Sequence, residues 1–368
     1  MITYALDART ATAHFPGIGR YVRNLARALL PLLQPDERLL LVHDPREPAD
    51  WQLPTDHPQL AWAPLPVSPF SPWQQVAVPR LLRRHRAAVY HSSYYLMPYR
   101  PGVPALLTLY DFIPMLFPET VSARARLLAG VATRLALRAA HHVVTISEAT
   151  RADLLRLYAV PPQRVSAIPL AAGPAFKPQP PEATAALRRR HALPERFTLY
   201  LGSNKPHKNL PRLLAAWATL PEDELLVIAG AWDSRYPEPR QIVQQQGLDE
   251  RVRFLGPVAE ADLPALYGAA TLFVFPSLYE GFGLPVLEAL ACGTPVACSD
   301  NSSLPEVAGD AALLFNPRDA SAIADAIRLL LADEQERAAQ AARATAQAAR
   351  FSWEQTAAAT LALYRTLV

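Results

Sequence analysis

Short apolar runs alternate with helical patterns along the whole 368-residue chain, and this alternation constrains the fold more than any other feature. It is typical of strand–helix units that stack around parallel sheets. A single hydrophobic core stops growing at about 250–300 residues, so a chain of this length usually divides into two domains. We therefore expect an α/β protein with two doubly wound, Rossmann-like domains that face each other across a cleft, with ligands at the carboxyl ends of the strands.

The predicted strands fall into two series separated by a proline-rich segment. The first series comprises residues 2–6, 39–43, 88–91, 105–109, 142–146 and 165–168, and the second comprises 198–201, 225–229, 252–255, 272–275, 295–297 and 312–315. Four prolines and a glycine between Ala171 and Pro181 indicate a linker. The expected organisation is an N-terminal domain over residues 1–172, a linker over 173–182, a C-terminal domain over 183–350, and a final helix over 351–368 that packs back on the N-terminal domain.

Cysteine content and apolar runs exclude several classes of protein. Only Cys292 and Cys298 are present, which is too few for a disulfide framework and lacks metal-ligand spacing, so we expect reduced core thiols. The chain opens on a strand-like sequence rather than a charged leader, and no run reaches the ~18 apolar residues of a membrane span. These features predict a cytoplasmic protein.

The charge is distributed unevenly along the chain. Residues 1–170 carry a formal net charge of +7 and residues 171–368 carry −4. Between Val121 and Ser147 there are four arginines and no acidic residue, and a second cluster contains Arg80, Arg83, Arg84 and Arg86. An anionic partner is indicated, namely a phospholipid surface, a diphosphate-linked substrate or nucleic acid. Nucleic acid is disfavoured because the basic residues do not interleave with aromatics in a recognisable module. We favour peripheral contact with the inner face of the cytoplasmic membrane over a solvated helix face.

The most informative segment is FPSLYEGFGLPVLEALACGTPV, which begins at Phe275. A strand ends there, Pro285 occupies a position suited to the first turn of a helix, and Gly293 closes that helix. Free backbone amides and the positive end of the helix dipole are therefore expected at residues 283–286. Such a helix start can bind a phosphate.

Two glutamates flank this helix start. Glu280 precedes the helix, and Glu288 lies four residues past Leu284, which corresponds to about 6 Å along the axis. The two carboxylates can therefore contact different parts of one extended ligand. In the alternative interpretation, Glu280 caps the helix and Glu288 is a solvated surface residue.

The segment resembles the Glu-x7-Glu motif of the retaining GT-B glycosyltransferases of the group 1, or family 4, type, which include mannosyl- and rhamnosyltransferases of bacterial polysaccharide assembly. The likeness extends over nearly the full length through Gly17-Ile-Gly-Arg-Tyr, His91-Ser-Ser-Tyr-Tyr-Leu-Met-Pro, Asp111-Phe-Ile-Pro, Val144-Thr-Ile-Ser-Glu and Leu201-Gly-Ser-Asn-Lys-Pro-His-Lys-Asn. It implies a GT-B fold and transfer of a hexose or 6-deoxyhexose, with retention, from a nucleoside-diphosphate sugar to a lipid-linked or saccharide acceptor.

The resemblance also assigns roles within the segment. Glu280 is expected to contact the hydroxyls of the donor sugar and to act in catalysis, and Glu288 is expected to contact the ribose. The turn between them is expected to bind the donor through Gly281, Phe282, Gly283 and Leu284.

The loop from Gly202 to Asn209 contains two of the only three lysines in the chain. By the resemblance, Lys208 binds the donor diphosphate, while Ser203 stands where the family often has arginine and Lys205 replaces that charge. No Asp-x-Asp motif occurs, so we expect Lys208, backbone amides and the helix start to neutralise the leaving diphosphate without a metal ion or cofactor. The alternative is a solvated turn.

Two further positions are candidates in the N-terminal half. Gly17 belongs to a glycine loop expected to approach the donor, although a simple turn is an alternative and the dinucleotide fingerprint is not met. Asp111 follows a predicted strand and is a catalytic candidate, or alternatively a turn or helix cap. In the family the residue before it is a histidine that contacts the donor sugar. Here it is Tyr110, whose ring suits a methyl group and favours GDP-rhamnose over GDP-mannose unless the side chain swings out of the pocket.

Three other functions remain open from the sequence. A nucleotide-sugar epimerase or a phosphorylase could use the same fold. An NAD-dependent dehydrogenase is disfavoured by the broken fingerprint. A non-catalytic nucleotide-sugar-binding protein would bind the donor without turnover.

Overall fold

Two parallel β-sheets, of seven and six strands, organise the residues described by the computed structural model, which are 1–12, 16–47, 51, 53 and 57–368. The strands of the first sheet are β1 (Ile2–Asp7), β2 (Glu37–His43), β3 (Leu60–Pro64), β4 (Val89–Ser92), β5 (Ala105–Leu109), β6 (His142–Thr145) and β7 (Val165–Ala167). Those of the second are β8 (Thr198–Leu201), β9 (Leu226–Ala229), β10 (Val252–Gly256), β11 (Leu272–Phe275), β12 (Val296–Ser299) and β13 (Leu313–Phe315).

Helices connect these strands in chain order. They are α1 (Pro16–Leu29), α2 (Gln74–Arg84), α3 (Ile113–Leu116), α4 (Ala123–Ala139), α5 (Glu148–Leu157), α6 (Pro181–Arg190), α7 (Leu210–Trp217), α8 (Glu238–Gln245), α9 (Leu263–Ala269), α10 (Leu284–Ala291), α11 (Leu304–Ala308), α12 (Ala320–Ala332), α13 (Glu334–Ala348) and α14 (Trp353–Leu367).

The chain forms two compact units, one containing Met1–Leu170 with Ser352–Val368 and the other containing Ala171–Phe351. The final helix, α14, therefore belongs to the first unit. Residues 173–182, expected as a linker, lie within the second unit, where Pro181 begins α6.

Strand order confirms the predicted fold class. The first sheet is ordered β3-β2-β1-β4-β5-β6-β7 and the second β10-β9-β8-β11-β12-β13, with all pairs parallel. In each sheet the order reverses next to the first strand of the unit, between β1 and β4 and between β8 and β11. Ligands of such sheets bind at the carboxyl ends of the strands at this switch point.

All twelve predicted strands are present, but β3 was not predicted. It ends at Pro64, and proline cannot donate a ladder hydrogen bond. The strand is tolerated because it is the edge strand of the first sheet, paired only with β2.

The two faces of the first sheet are covered by different helices. One hydrophobic cluster contains Val78 and Leu82 from α2, Ala136 and Leu137 from α4, and Leu154 from α5. These three helices therefore pack on the same face of the sheet. Helices α1 and α14 contact each other, and Tyr364 of α14 packs on Tyr4 of β1.

Polar side chains cap helix α14 and attach it to the first sheet. Ser352 caps it by accepting a hydrogen bond from the Gln355 amide at 3.1 Å. His91 on β4 forms hydrogen bonds with the Tyr364 hydroxyl and with Thr108, each at 2.7 Å. Complete burial lowers the pKa of His91 to about 3, so the ring is neutral and can act as donor at one nitrogen and acceptor at the other.

Two further predictions from the sequence concern the cysteines and the membrane-spanning segments. Cys292 and Cys298 are free, buried thiols, and burial raises the pKa of each to about 12. Among the described residues, no helix has both the length and the apolar character needed to span a bilayer.

Candidate active site

Glycines allow two strand ends to approach each other where the lysine loop begins. A Cβ on Gly202, just after β8, would lie 2.7 Å from the Tyr200 hydroxyl oxygen. Gly230, just after β9, has a φ of +125°, and a Cβ there would lie 2.2 Å from the carbonyl oxygen of Gly202. Only glycine fits both positions, so the path of the loop is fixed at its first residue. The Tyr200 hydroxyl donates to the backbone oxygen of Ser203 at 2.8 Å, which fixes the next residue as well.

Two buried asparagines anchor the lysine loop. The side-chain amide of Asn204 donates to the carbonyls of Asp233 and Tyr236, and its oxygen accepts from the Asp233 amide at 2.7 Å. Asn209 adopts the left-handed conformation and donates to the carbonyls of Pro276 at 3.0 Å and Pro317 at 2.7 Å. The loop is therefore tied to the segments that follow β9, β11 and β13.

This anchoring brings Lys208 and Glu280 together at the switch point between β8 and β11. The Lys208 Nζ donates to Glu280 Oε1 at 2.7 Å and lies 5.2 Å from the centre of the Phe275 ring. Glu280 is only 8% exposed. The arrangement fixes a lysine ammonium between a carboxylate and an aromatic face, so its position is set before any ligand binds.

Serines hold the backbone of Glu280. The Glu280 amide donates to the Ser302 hydroxyl at 3.0 Å, and the Ser303 hydroxyl donates to the Glu280 carbonyl at 2.9 Å. Glu280 does not cap α10, because the N-cap position of that helix is Gly283.

Two other basic side chains of the loop, Lys205 and His207, differ in exposure. Lys205 is exposed. His207 is buried, and its burial, with the neighbouring charges of Lys208 and Lys205, lowers the pKa of the imidazole to about 3. His207 is therefore neutral near pH 7, and the loop's positive charge comes from its two lysines.

The start of α10 is fixed by a glycine. Gly283 has a φ of +103°, and a Cβ there would lie 2.5 Å from Leu304 Cδ2. The amides of Gly283 and Leu284 donate to no acceptor among the residues that the structure describes. The Val286 amide donates to the Gly283 carbonyl at 3.0 Å. The expectation of free amides as far as Val286 is therefore wrong, because the first turn closes on Gly283.

Two other residues of the motif are buried. Phe282 packs edge-on against Phe351, with ring centres 5.8 Å apart. Glu288 is 3% exposed and accepts a hydrogen bond from the Tyr267 hydroxyl at 3.1 Å. Glu288 is therefore not a solvated surface residue, while its contact with a ribose stays a prediction.

Three candidates lie in the first unit. Gly17 lies in the first turn of α1, which Pro16 begins, so the expected loop is helical there. Asp111 accepts a hydrogen bond from the Ile113 amide at 3.0 Å, the geometry expected of a turn residue. The Tyr110 ring meets Tyr21 edge-on at 5.5 Å, and its buried hydroxyl has no partner in the described part of the chain. The roles of all three toward a donor stay predictions.

Sequence reasoning missed the residues that hold the site in place. Asn204 and Asn209 stand within the lysine-loop motif, but only the fold shows that they bind distant backbone segments. The left-handed conformation of Asn209 is the kind of position that asparagine favours, which was the available signal. Ser302 and Ser303 gave no signal, since they follow β12 and are distant from Glu280 in sequence.

The two parallel sheets with their switch points are those of the GT-B class of fold, and comparison with known proteins agrees with that class. Residues 184–347 match the family described as glycosyl transferases group 1, and residues 16–172 match glycosyltransferase family 4. The chain therefore belongs to the group 1 glycosyltransferases and is a transferase. This membership removes the dehydrogenase alternative.

Two curated relatives are mannosyltransferases of Escherichia coli. The chain is 35% identical to O-antigen chain mannosyltransferase B over 291 residues, covering 78% of this chain and 76% of the relative. It is 33% identical to the serotype-specific mannosyltransferase WbdA over 67% of this chain, and it spans about a third of that longer protein.

Solved structures share the fold over the full chain. Sucrose-phosphate synthase from Thermosynechococcus elongatus superposes with a TM-score of 0.81 at 26% identity, covering 100% of this chain and 99% of that one. WaaG, a glycosyltransferase involved in lipopolysaccharide biosynthesis, superposes with a TM-score of 0.73 at 18% identity, covering 100% of both chains.

Proposed function

We propose that this glycosyltransferase transfers a mannosyl group from GDP-mannose, with retention and without a metal ion, to a lipid-linked or saccharide acceptor in bacterial surface-polysaccharide assembly. The mannosyltransferase relatives support the sugar and the class of acceptor. The observation that carries the proposal is the Lys208–Glu280 ion pair at the switch point, next to the free amides at the start of α10.

In the proposed reaction the bond between the anomeric carbon and the diphosphate oxygen breaks, and the acceptor oxygen forms a new bond to that carbon. The acceptor hydroxyl passes its proton to the leaving diphosphate, which departs as GDP with the electron pair of the broken bond. Negative charge therefore accumulates on the leaving diphosphate. The Lys208 ammonium and the amides of Gly283 and Leu284 are the groups that stabilise this charge.

The ion pair suits this task because it is rigid and not saturated. An ammonium has three N–H donors, and Glu280 takes one of them. The side chains of Lys208 and Glu280 are 15% and 11% exposed, so both still reach the solvent from which a donor arrives. Lys208 can bind a diphosphate oxygen without leaving Glu280, while the second oxygen of Glu280 accepts from a hydroxyl of the sugar.

The first prediction concerns variants that lack one member of the Lys208–Glu280 pair. Lys208→Ala and Glu280→Gln should each lower kcat/KM for GDP-mannose by about a hundredfold or more, because each removes a charge-bearing contact to the transition state. Lys177→Ala is the matched control, since it removes an exposed lysine outside the site and should keep the wild-type rate. The measurement is release of GDP with transfer of labelled mannose to an acceptor extract.

Circular dichroism should show the wild-type fold in each variant. A folded Lys208→Ala or Glu280→Gln protein with wild-type turnover would refute the assignment. Donor binding by the wild type without transfer to any acceptor would instead support a non-catalytic nucleotide-sugar-binding protein.

Tyr110 favours GDP-rhamnose as a second candidate donor. By the family resemblance this position contacts the donor sugar, usually through a histidine. The Tyr110 hydroxyl is buried inside the first unit, with its ring edge-on to Tyr21, so in this position it is not accessible to the 6-hydroxyl of a bound sugar. A site without that bond does not penalise a donor with a methyl group there.

The second prediction separates the two donors. If the 6-deoxy sugar is the donor, kcat/KM for GDP-rhamnose should exceed that for GDP-mannose in the wild type. Tyr110→His should then lower this ratio by roughly tenfold, because the imidazole restores a partner for the 6-hydroxyl. A wild-type preference for GDP-mannose, or a ratio that the histidine leaves unchanged, removes GDP-rhamnose and leaves GDP-mannose as the donor.

We also propose that the enzyme works at an anionic membrane surface. Large apolar side chains are exposed at the start of α2 and on α4, namely Phe70, Trp73 and Val76, and Leu127, Leu128 and Val131. Both helices pack on the same face of the first sheet, so their outer surfaces face the same way. Residues 57–147 contain nine arginines and only two acidic residues, Asp111 and Glu119. Exposed apolar groups beside unpaired arginines are what an anionic bilayer surface binds.

The third prediction tests membrane contact. Vesicles with anionic phospholipid should sediment the protein at low salt and release it at high salt, and neutral vesicles should bind at least tenfold less. The double change Trp73→Ser with Leu127→Ser should weaken binding at least tenfold, because two exposed apolar anchors are lost. Leu329→Ser is the control, since it removes an exposed leucine from the second unit. Equal binding to both kinds of vesicle would contradict the proposal.

A further inference from the structure

A groove of about 430 Å³ lies beside α4 in the first unit. Its apolar lining includes Met115 of α3, Leu127 of α4, and Leu157 with Tyr158 at the end of α5, and its polar lining is Arg126 and Arg134. Sites for small ligands typically have volumes of about 300–1,000 Å³. The groove is therefore large enough to hold a ligand, and neither the donor site nor the ion pair accounts for it.

A glycine in the middle of α4 keeps the groove open. Gly130 is buried in the groove wall, within a helix of 17 residues. Glycine in a helix interior is less favourable than alanine. Sterics do not require it, because a Cβ there would be 3.4 Å from Met115 Cε and 3.6 Å from Arg134, which are ordinary contacts. Any side chain at this position would instead occupy part of the groove.

The charges of the groove define the kind of occupant. Arg126 and Arg134 form no ion pair with a carboxylate in the described part of the chain, and the lining residues include no acid. The Arg134 guanidinium lies 5.7 Å from the centre of the Tyr158 ring, which holds it at the edge of the groove. Leu128 and Val131, exposed on the same helix, extend the apolar surface. An apolar groove bordered by these two arginines suits a molecule with one apolar chain and one anionic head.

We propose that this groove binds a single anionic phospholipid, with an acyl chain between α3 and α4 and the phosphate at the bordering arginines. The inference rests on the proposed membrane contact and not on the transfer chemistry. It adds to nonspecific adsorption a discrete site that recognises a single lipid. A lipid held there would fix the orientation of the first unit on the bilayer, which adsorption by scattered arginines does not do.

The test uses lipid monomers, so that vesicle adsorption does not contribute. Dihexanoyl phosphatidic acid, below its micelle concentration, should bind the full chain with saturable one-to-one stoichiometry in calorimetry. Dihexanoyl phosphatidylcholine should bind at least tenfold more weakly, and inorganic phosphate should show no measurable binding. Equal affinity for the two lipids, or phosphate binding as strong as that of the lipid, would overturn the proposal.

Variants locate the binding in the groove. Gly130→Leu should weaken phosphatidic acid binding at least tenfold because the leucine side chain fills the groove. Ala125→Leu is the control, since it places a leucine at an exposed position of α4 and should bind the lipid as the wild type does. Arg126→Gln with Arg134→Gln should also weaken binding tenfold, and these exposed positions do not endanger folding. Arg138→Gln, outside the groove, is their control.

Two further measurements distinguish the lipid site from the proposed transfer activity and from self-association of the chain. The rate of GDP release by Gly130→Leu with a water-soluble saccharide acceptor should match that of the wild type. An error in the proposed transfer activity would therefore show in this assay, whatever the result of the lipid-binding experiment. Size-exclusion chromatography should give the same elution for wild type and Gly130→Leu. Wild-type lipid affinity in Gly130→Leu, or loss of an oligomer in that variant, would overturn the lipid site, and the second result would indicate an interface between copies of the chain.

Discussion

The ion pair between Lys208 and Glu280 joins the two loops on which the candidate site depends. One loop follows β8 and the other follows β11, so the pair lies where the strand order of the second sheet reverses. Neither loop could hold this geometry alone. Asn209 ties the lysine loop to Pro276 at the beginning of the glutamate loop, and two serines hold the backbone of Glu280. A preorganised cation of this kind loses little conformational freedom when a diphosphate binds, which is the condition for electrostatic stabilisation of a leaving group.

Much of the fold could be predicted from the sequence because its signals are local. Buried parallel strands are continuous apolar runs, and twelve of them were placed correctly. Strand β3 was missed because it lies at a sheet edge, where burial is incomplete and Pro64 is tolerated. The predicted extent of the free amides at the start of α10 was also wrong. It depends on whether the first turn closes on Gly283, and the Val286 amide does donate to the Gly283 carbonyl.

The site was predictable in its residue types and less so in its contacts. The two lysines of one loop and the two glutamates of one motif were recognisable as candidates, but the contact between Lys208 and Glu280 was not predicted from the sequence. Burial of Glu288 against Tyr267 could not be predicted, because it depends on α9, which is far away in sequence. The packing of Tyr110 on Tyr21 likewise depends on how α1 meets β5. Pairings between distant segments carry no periodic signal in the sequence, and these are the features that sequence reasoning missed.

We propose that Lys208 and the start of α10 hold the donor diphosphate without a metal ion. Calorimetric titration of GDP into the full chain, once in EDTA and once in magnesium, tests it most directly. The dissociation constants for GDP should agree within about twofold in the two buffers, and the value for Lys208→Ala in EDTA should be at least tenfold higher. Binding of GDP only in the presence of magnesium, or equal affinity in wild type and Lys208→Ala, would contradict it.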